Sequence, residues 1–129
     1  MYDKQTVIDK TLEYFNGDEL ATNVWTTKYA LKDKDGNYLE QSPDDMHRRM
    51  AKEFARIEAK FNSERALSEE AVYEYLKGFK YIVPQGSPMM GIGNNHVNVS
   101  LSNCVVVDAP RDNISDIINA GRDLANLFK

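Results

Sequence analysis

VPQGSPMMGIGNNHVNVSLSNCVVV, residues 83–107, divides the chain into two kinds of sequence. Its second half alternates. Val97, Val99 and Leu101 are interleaved with Asn98, Ser100 and Ser102, the period of two expected of a half-buried strand. Continued to residue 107, that strand puts Cys104 on the face of Asn98, Ser100 and Ser102, with Val105 and Val107 on the other. The sole cysteine is thereby expected on the polar side, where a site rather than a core belongs. The first half, rich in Pro and Gly, predicts a loop that brings backbone close to a small polar ligand. Gly91 and Gly93 could cradle a phosphate, but a lone G-x-G more simply turns the chain.

Upstream of this stretch the sequence is helical. Val7, Ile8, Leu12 and Phe15 predict a helix over 3–15, closed by Asn16-Gly17. A short helix follows over 19–25, and Lys28-Tyr29-Ala30-Leu31 is ambiguous. Lys34-Asp35-Gly36-Asn37 reads as a turn, with a brief hairpin returning through Tyr38-Leu39. Ser42-Pro43-Asp44-Asp45 begins a helix, with Ser as cap, Pro in the first turn and two acids favouring the positive end of its dipole. Met46, Met50, Phe54 and Ile57, then Phe61, mark its apolar face, and its Arg and Lys side chains are read as solvated. Ser68-Glu69-Glu70-Ala71 opens another helix, with Val72, Tyr75, Leu76 and Phe79 inward and Gly78 near its end. Downstream, Asp112 is the expected cap of a last helix. Its stripe of Ile114, Ile117, Ile118, Gly121, Ala125 and Phe128 suits either a sheet or a partner helix.

Composition narrows the possibilities. The chain has 129 residues, 42% hydrophobic and 28% charged, with 16 basic and 20 acidic residues and a net charge of −4. This is ordinary for one small soluble domain and argues against a nucleic-acid surface built on bulk positive charge. No apolar run reaches the roughly 20 residues needed to span a bilayer, and Met1-Tyr2-Asp3-Lys4 lacks a signal-peptide pattern. A single cysteine excludes an internal disulfide framework and a multi-cysteine zinc site, and suits a reducing cytoplasm.

The sequence resembles the large, catalytic subunit of ribonucleotide reductase. The resemblance is carried by Pro84-Gln85-Gly86-Ser87-Pro88-Met89, Gly91-Ile92-Gly93-Asn94 and Ser100-Leu101-Ser102-Asn103-Cys104. Val24-Trp25-Thr26-Thr27-Lys28-Tyr29-Ala30-Leu31 and Pro43-Asp44-Asp45-Met46-His47-Arg48-Arg49-Met50-Ala51 are similar to the family's helical N-terminal region. The order and spacing of these pieces are more specific than any one of them. The Pro-Gln-Gly-Ser-Pro loop is most similar to the adenosylcobalamin-dependent branch, with the branch that uses a di-metal radical subunit second.

The resemblance implies an α+β fragment. A helical N-terminal region over 1–80 is followed, over 81–129, by the substrate loop, first strand and next helix of a ten-stranded α/β barrel. It implies radical reduction of ribonucleotides, with Cys104 as one of the two cysteines that supply electrons. Ser87 and Asn103 are implied substrate contacts, although Asn103 stands where the family more usually has Ser. Asp112, Asn113 and Ile114 are implied contacts of an effector, a deoxynucleoside triphosphate or ATP. No metal ligand and no cofactor bound by this segment is expected; adenosylcobalamin, or a di-metal radical subunit, is implied for the complete enzyme.

The implied partners are the remainder of the catalytic subunit, a second copy in a homodimer, and thioredoxin or glutaredoxin as reductant, with no membrane or nucleic acid. With one cysteine the chain is expected to be inactive alone: a split subunit, an intein-interrupted one or a truncated reading frame. A non-catalytic nucleotide-binding or dimerisation module derived from that family is the alternative. A small independent α+β domain is the third possibility.

Overall fold

Asp3 starts the first helix by accepting the Thr6 N–H on its carboxylate at 3.0 Å. In the computed structural model, which describes residues 1–61 and 64–128, this helix, α1, runs Lys4–Tyr14. It closes as a Schellman motif. Asn16 and Gly17 take φ of 53° and 89°, and their N–H groups reach back to the carbonyls of Glu13 and Leu12. Asp18 then caps α2, Glu19–Lys28, which runs one turn beyond the expected 19–25. The expected turn at 34–37 forms. It brings Leu39 N–H to Leu31 C=O at 2.9 Å and makes isolated bridges from Tyr38 to Lys32 and Tyr2.

The remaining helices are α3, Pro43–Glu58, extended by a 3₁₀ turn over Ala59–Phe61; α4, Glu69–Leu76, followed by a 3₁₀ turn over Lys77–Phe79; α5, Gly86–Gly91; and α6, Ile114–Leu127. Pro43 occupies the first turn of α3 as expected, but the Ser42 hydroxyl makes no cap bond. Asp45 instead reaches out of the helix to the Gln41 N–H at 2.8 Å.

The core lies where α1, α2, α3 and α4 meet the 31–39 hairpin. Val7, Trp25, Tyr38, Met46, Met50, Ala51, Val72, Tyr73 and Leu76 form one cluster, against which Phe15, Tyr29, Phe79, Met89 and Ile92 pack. The buried face of α3 is wider than the expected stripe and centred elsewhere. Met46, His47, Met50 and Ala51 are inside, while Phe54, Ile57 and Phe61 remain exposed. On α4 it is Tyr73 that points inward and Tyr75 that is exposed.

His47 has no solvent exposure. Its ring packs edge-on against Phe79 at 4.5 Å, its Nδ1 lies 3.4 Å from the Tyr14 hydroxyl, and its Nε2 has no partner. Burial holds its pKa down at about 4, outweighing the opposing pull of the Asp44 carboxylate. The unfolded chain therefore binds this proton first as pH falls. Stability is expected to drop by about 3 kcal/mol between pH 6.5 and 4, the free energy that corresponds to that displacement. Denaturant unfolding across this window, compared with His47→Gln, checks it. An equal slope in the variant would show that His47 is not responsible.

The expected α+β architecture is corrected: among the described residues there is no strand, and the fold is helical with two isolated bridges. A strand needs a partner for its backbone groups. No ladder joins residues 97–107 to another segment, and apolar residues of that stretch face solvent, Val106 at 97%. The Val/Asn/Ser alternation is present in the sequence, but among the described residues no segment pairs with it. The loop expected at Pro84-Gln85-Gly86-Ser87-Pro88-Met89 is likewise corrected, since Gly86–Gly91 coils into α5 with Pro88 tolerated in its first turn.

Candidate functional site

The stretch that resembles a substrate loop is shaped by close approaches. Gly86 lies against the ring of Tyr29, where an added Cβ would sit 3.2 Å from Cε1. Gly91 is tighter. A Cβ there would come within 2.5 Å of Val99 Cγ2 and 2.6 Å of Leu101 Cδ2, so residues 99–101 cross directly over the end of α5. This crossing carries Asn103 back to the start of the same helix.

There, three polar side chains meet. The N–H and Oγ–H of Ser87 both donate to Asn103 Oδ1, at 3.0 and 2.6 Å. Asn103 Nδ2 donates to Gln85 Oε1 at 2.6 Å. Ser87 and Asn103, singled out separately in the sequence, are thus direct partners across 16 residues. Cys104 follows Asn103 and is exposed, so its thiol is open to a reactant.

Asp112, Asn113 and Ile114 stand at the start of α6, all exposed. The cap is Asn113, whose Oδ1 accepts the Asp116 N–H at 2.9 Å, rather than the expected Asp112. Among the described residues no hydrogen bond links these three to the Ser87–Asn103 pair. Helix α6 has no buried residue, and its apolar stripe stands open, with Phe128 at 89% exposure.

Two further residues shape the loop and escaped the sequence reading. Arg49, on α3, pairs through Nε with Glu40 Oε1 at 2.7 Å. Its Nη2 donates to the Met89 carbonyl at 2.8 Å and its Nη1 to the Ile92 carbonyl. Glu40 Oε2 accepts the Leu31 N–H at 2.9 Å. The side chains are only 11% and 5% exposed. In sequence Arg49 is one of several basic residues on a helix, and Glu40 lies outside any periodic element, so only the fold shows their pairing.

Residues 15–96 match the family described as "Ribonucleotide reductase, all-alpha domain". The chain belongs to this family. The matched span covers α2 to α5, the hairpin, the Glu40–Arg49 pair and Ser87 of the reductase domain, and it ends before Asn103 and Cys104. An all-helical fold is what that description calls for, and it places the chain in the N-terminal region of a ribonucleotide reductase large subunit. No curated protein and no solved structure gives a significant match.

Among the described residues no group of three or more His, Cys, Asp or Glu stands together. No helix among them is long and apolar enough to cross a membrane.

Proposed function

We propose that this chain contributes the substrate-facing corner of a ribonucleotide reductase. Ser87 and Asn103 contact the ribose, and Cys104 delivers reducing equivalents to it. The observation that supports this most is the Ser87–Asn103 pair itself, two polar side chains of different segments joined beside an exposed thiol. The overall change balances simply. The 2′ oxygen of the ribose leaves as water, a C–H bond takes its place, and two thiols become one disulfide, giving up two electrons and two protons.

One cysteine cannot complete this step, and the sequence holds one. The second thiol and the radical that starts the reaction come from the remainder of the catalytic subunit and its radical generator. We assign that generator to adenosylcobalamin ahead of a di-metal subunit, on the Pro84-Gln85-Gly86-Ser87-Pro88 loop. Asp112, Asn113 and Ile114 are assigned to effector contact, with the reduced state restored by thioredoxin or glutaredoxin and the complete subunit acting as a homodimer.

The test is complementation. The chain is mixed with a polypeptide carrying the remainder of the catalytic subunit, and deoxynucleotide formation is followed with and without adenosylcobalamin. Cobalamin-dependent product is the expected result; two polypeptides that neither associate nor react would overturn the reductase function.

A second reading, a nucleotide-binding or dimerisation module without chemistry, draws on the open stripe of α6, where Ile117, Ile118 and Phe128 are exposed. Calorimetry with deoxynucleoside triphosphates on the chain alone separates the two, since tight binding with no added polypeptide favours the module.

A further inference from the structure

Helix α5 is six residues long, Gly86–Gly91. A helix that short has no stability of its own, because the nucleation cost is not recovered over so few bonds. At its carbonyl end the following turn takes some of the leftover acceptors, Asn94 donating from its N–H to Gly91 C=O and from Nδ2 to Met90 C=O, each at 3.1 Å. Arg49 takes two that the turn leaves. Its guanidinium donates to the carbonyls of Met89 and Ile92, one inside the last turn and one just past it.

The guanidinium is itself held in place. Glu40 takes its Nε at 2.7 Å, and the second carboxylate oxygen is tied to the Leu31 N–H at 2.9 Å. A planar fork on a fixed carboxylate leaves little freedom for the two remaining bonds. The turn after α5 is pressed onto the same arginine. Gly93 has φ 71°, and a Cβ there would come within 2.9 Å of Arg49 Cγ and 3.2 Å of its carbonyl oxygen. Two independent features, the hydrogen bonds and this close approach, thus place the far end of α5 against Arg49. At the near end, about 9 Å away along the axis, Gln85 and Ser87 hold Asn103.

We propose that Arg49 is a positioning residue for the ribose: held by Glu40, it clamps the carbonyl end of α5 and thereby sets Ser87 against Asn103. The proposal rests on the reductase function above, and it assigns to the pair a role in placing substrate rather than in the chemical step. Lysine cannot replace it, since one ammonium cannot span the carboxylate and two carbonyls in the geometry of the fork.

Arg49→Lys in the complete reductase tests this. The KM for ribonucleotide is expected to rise about tenfold, the effect of losing one charge-assisted hydrogen bond's worth of positioning, while kcat stays within about twofold, because the thiols are untouched. In the chain alone, amide exchange is expected to accelerate at Ser87 and over residues 89–92 while α1 and α4 keep their protection. A role limited to general stability would lower the folded fraction and leave the KM of the folded enzyme unchanged, and that result overturns the proposal. Unchanged exchange at Ser87 overturns it too.

Should Arg49→Lys fail to fold, Glu40→Gln keeps the shape, removes the charge that orients the guanidinium, and is read in the same two ways. The failures are separable. An unchanged KM sinks the positioning role and leaves the thiol chemistry standing, whereas no deoxynucleotide formation by the assembled polypeptides sinks the reductase function while exchange at Ser87 still reports on the clamp.

Discussion

Replacing Cys104 with Ser is expected to lower steady-state deoxynucleotide formation by about 10³-fold or more in the assembled reductase, the size of loss seen when a residue essential to the chemistry is removed. A hydroxyl has nearly the same shape as a thiol but cannot be oxidised to half of a disulfide, so the sugar would lack one of its two electron donors. Binding should survive. Ser87 and Asn103 make their hydrogen bonds without the sulfur, and calorimetric affinity for ribonucleotide should remain within about twofold, as for a change that spares the binding groups. Steady-state turnover with an external dithiol is the measurement. Sustained multiple turnover by the Ser variant would remove Cys104 from the reaction.

Trp25→Ala is expected to destabilise the chain by about 3–5 kcal/mol, the range for removing a fully enclosed aromatic side chain. Trp25 is fully enclosed at the centre of the helical cluster, and its indole N–H points at Met46 Sδ 3.4 Å away. Its loss leaves a cavity between α2 and α3 that their backbones cannot close. By contrast, Ile118→Ala on α6 should change stability by no more than about 0.5 kcal/mol, as for an ordinary surface substitution, since Ile118 is exposed. Denaturant unfolding monitored by far-ultraviolet circular dichroism compares the two. Equal losses would mean that α6 packs on the core in solution.

The helices were legible because their signals are local. The Ser68 cap, Pro43 in a first turn and Asn16-Gly17 at a helix end act within a few residues, and each is found where expected. What escaped the sequence depended on partners far along the chain. Residues 97–107 carry a strand's alternation, yet pairing requires an edge, and the described residues offer none. His47 stands beside Arg48 and Arg49 with nothing local to mark it as buried, but the turn at 77–79 folds Phe79 onto it and seals it. Arg49 was indistinguishable from Arg48 by composition. Arg48 stays near the surface on Asp44 and the Tyr73 ring, while Arg49, one step round the helix, turns under the loop. At the candidate site, resemblance picked out Ser87, Asn103 and Cys104 singly. That the first two are partners required the crossing of residues 99–101 over Gly91.

Ser87 and Asn103 already satisfy one another. A ligand hydroxyl arriving between them would trade bonds with a donor and an acceptor already held in place, so no side-chain ordering would be charged against its binding. A molecule lacking that hydroxyl would have nothing to trade, and the two side chains would rejoin. Such a self-closing latch would favour departure of whatever has lost its oxygen, and it would return the corner to its starting arrangement with no other part of the fold having to move.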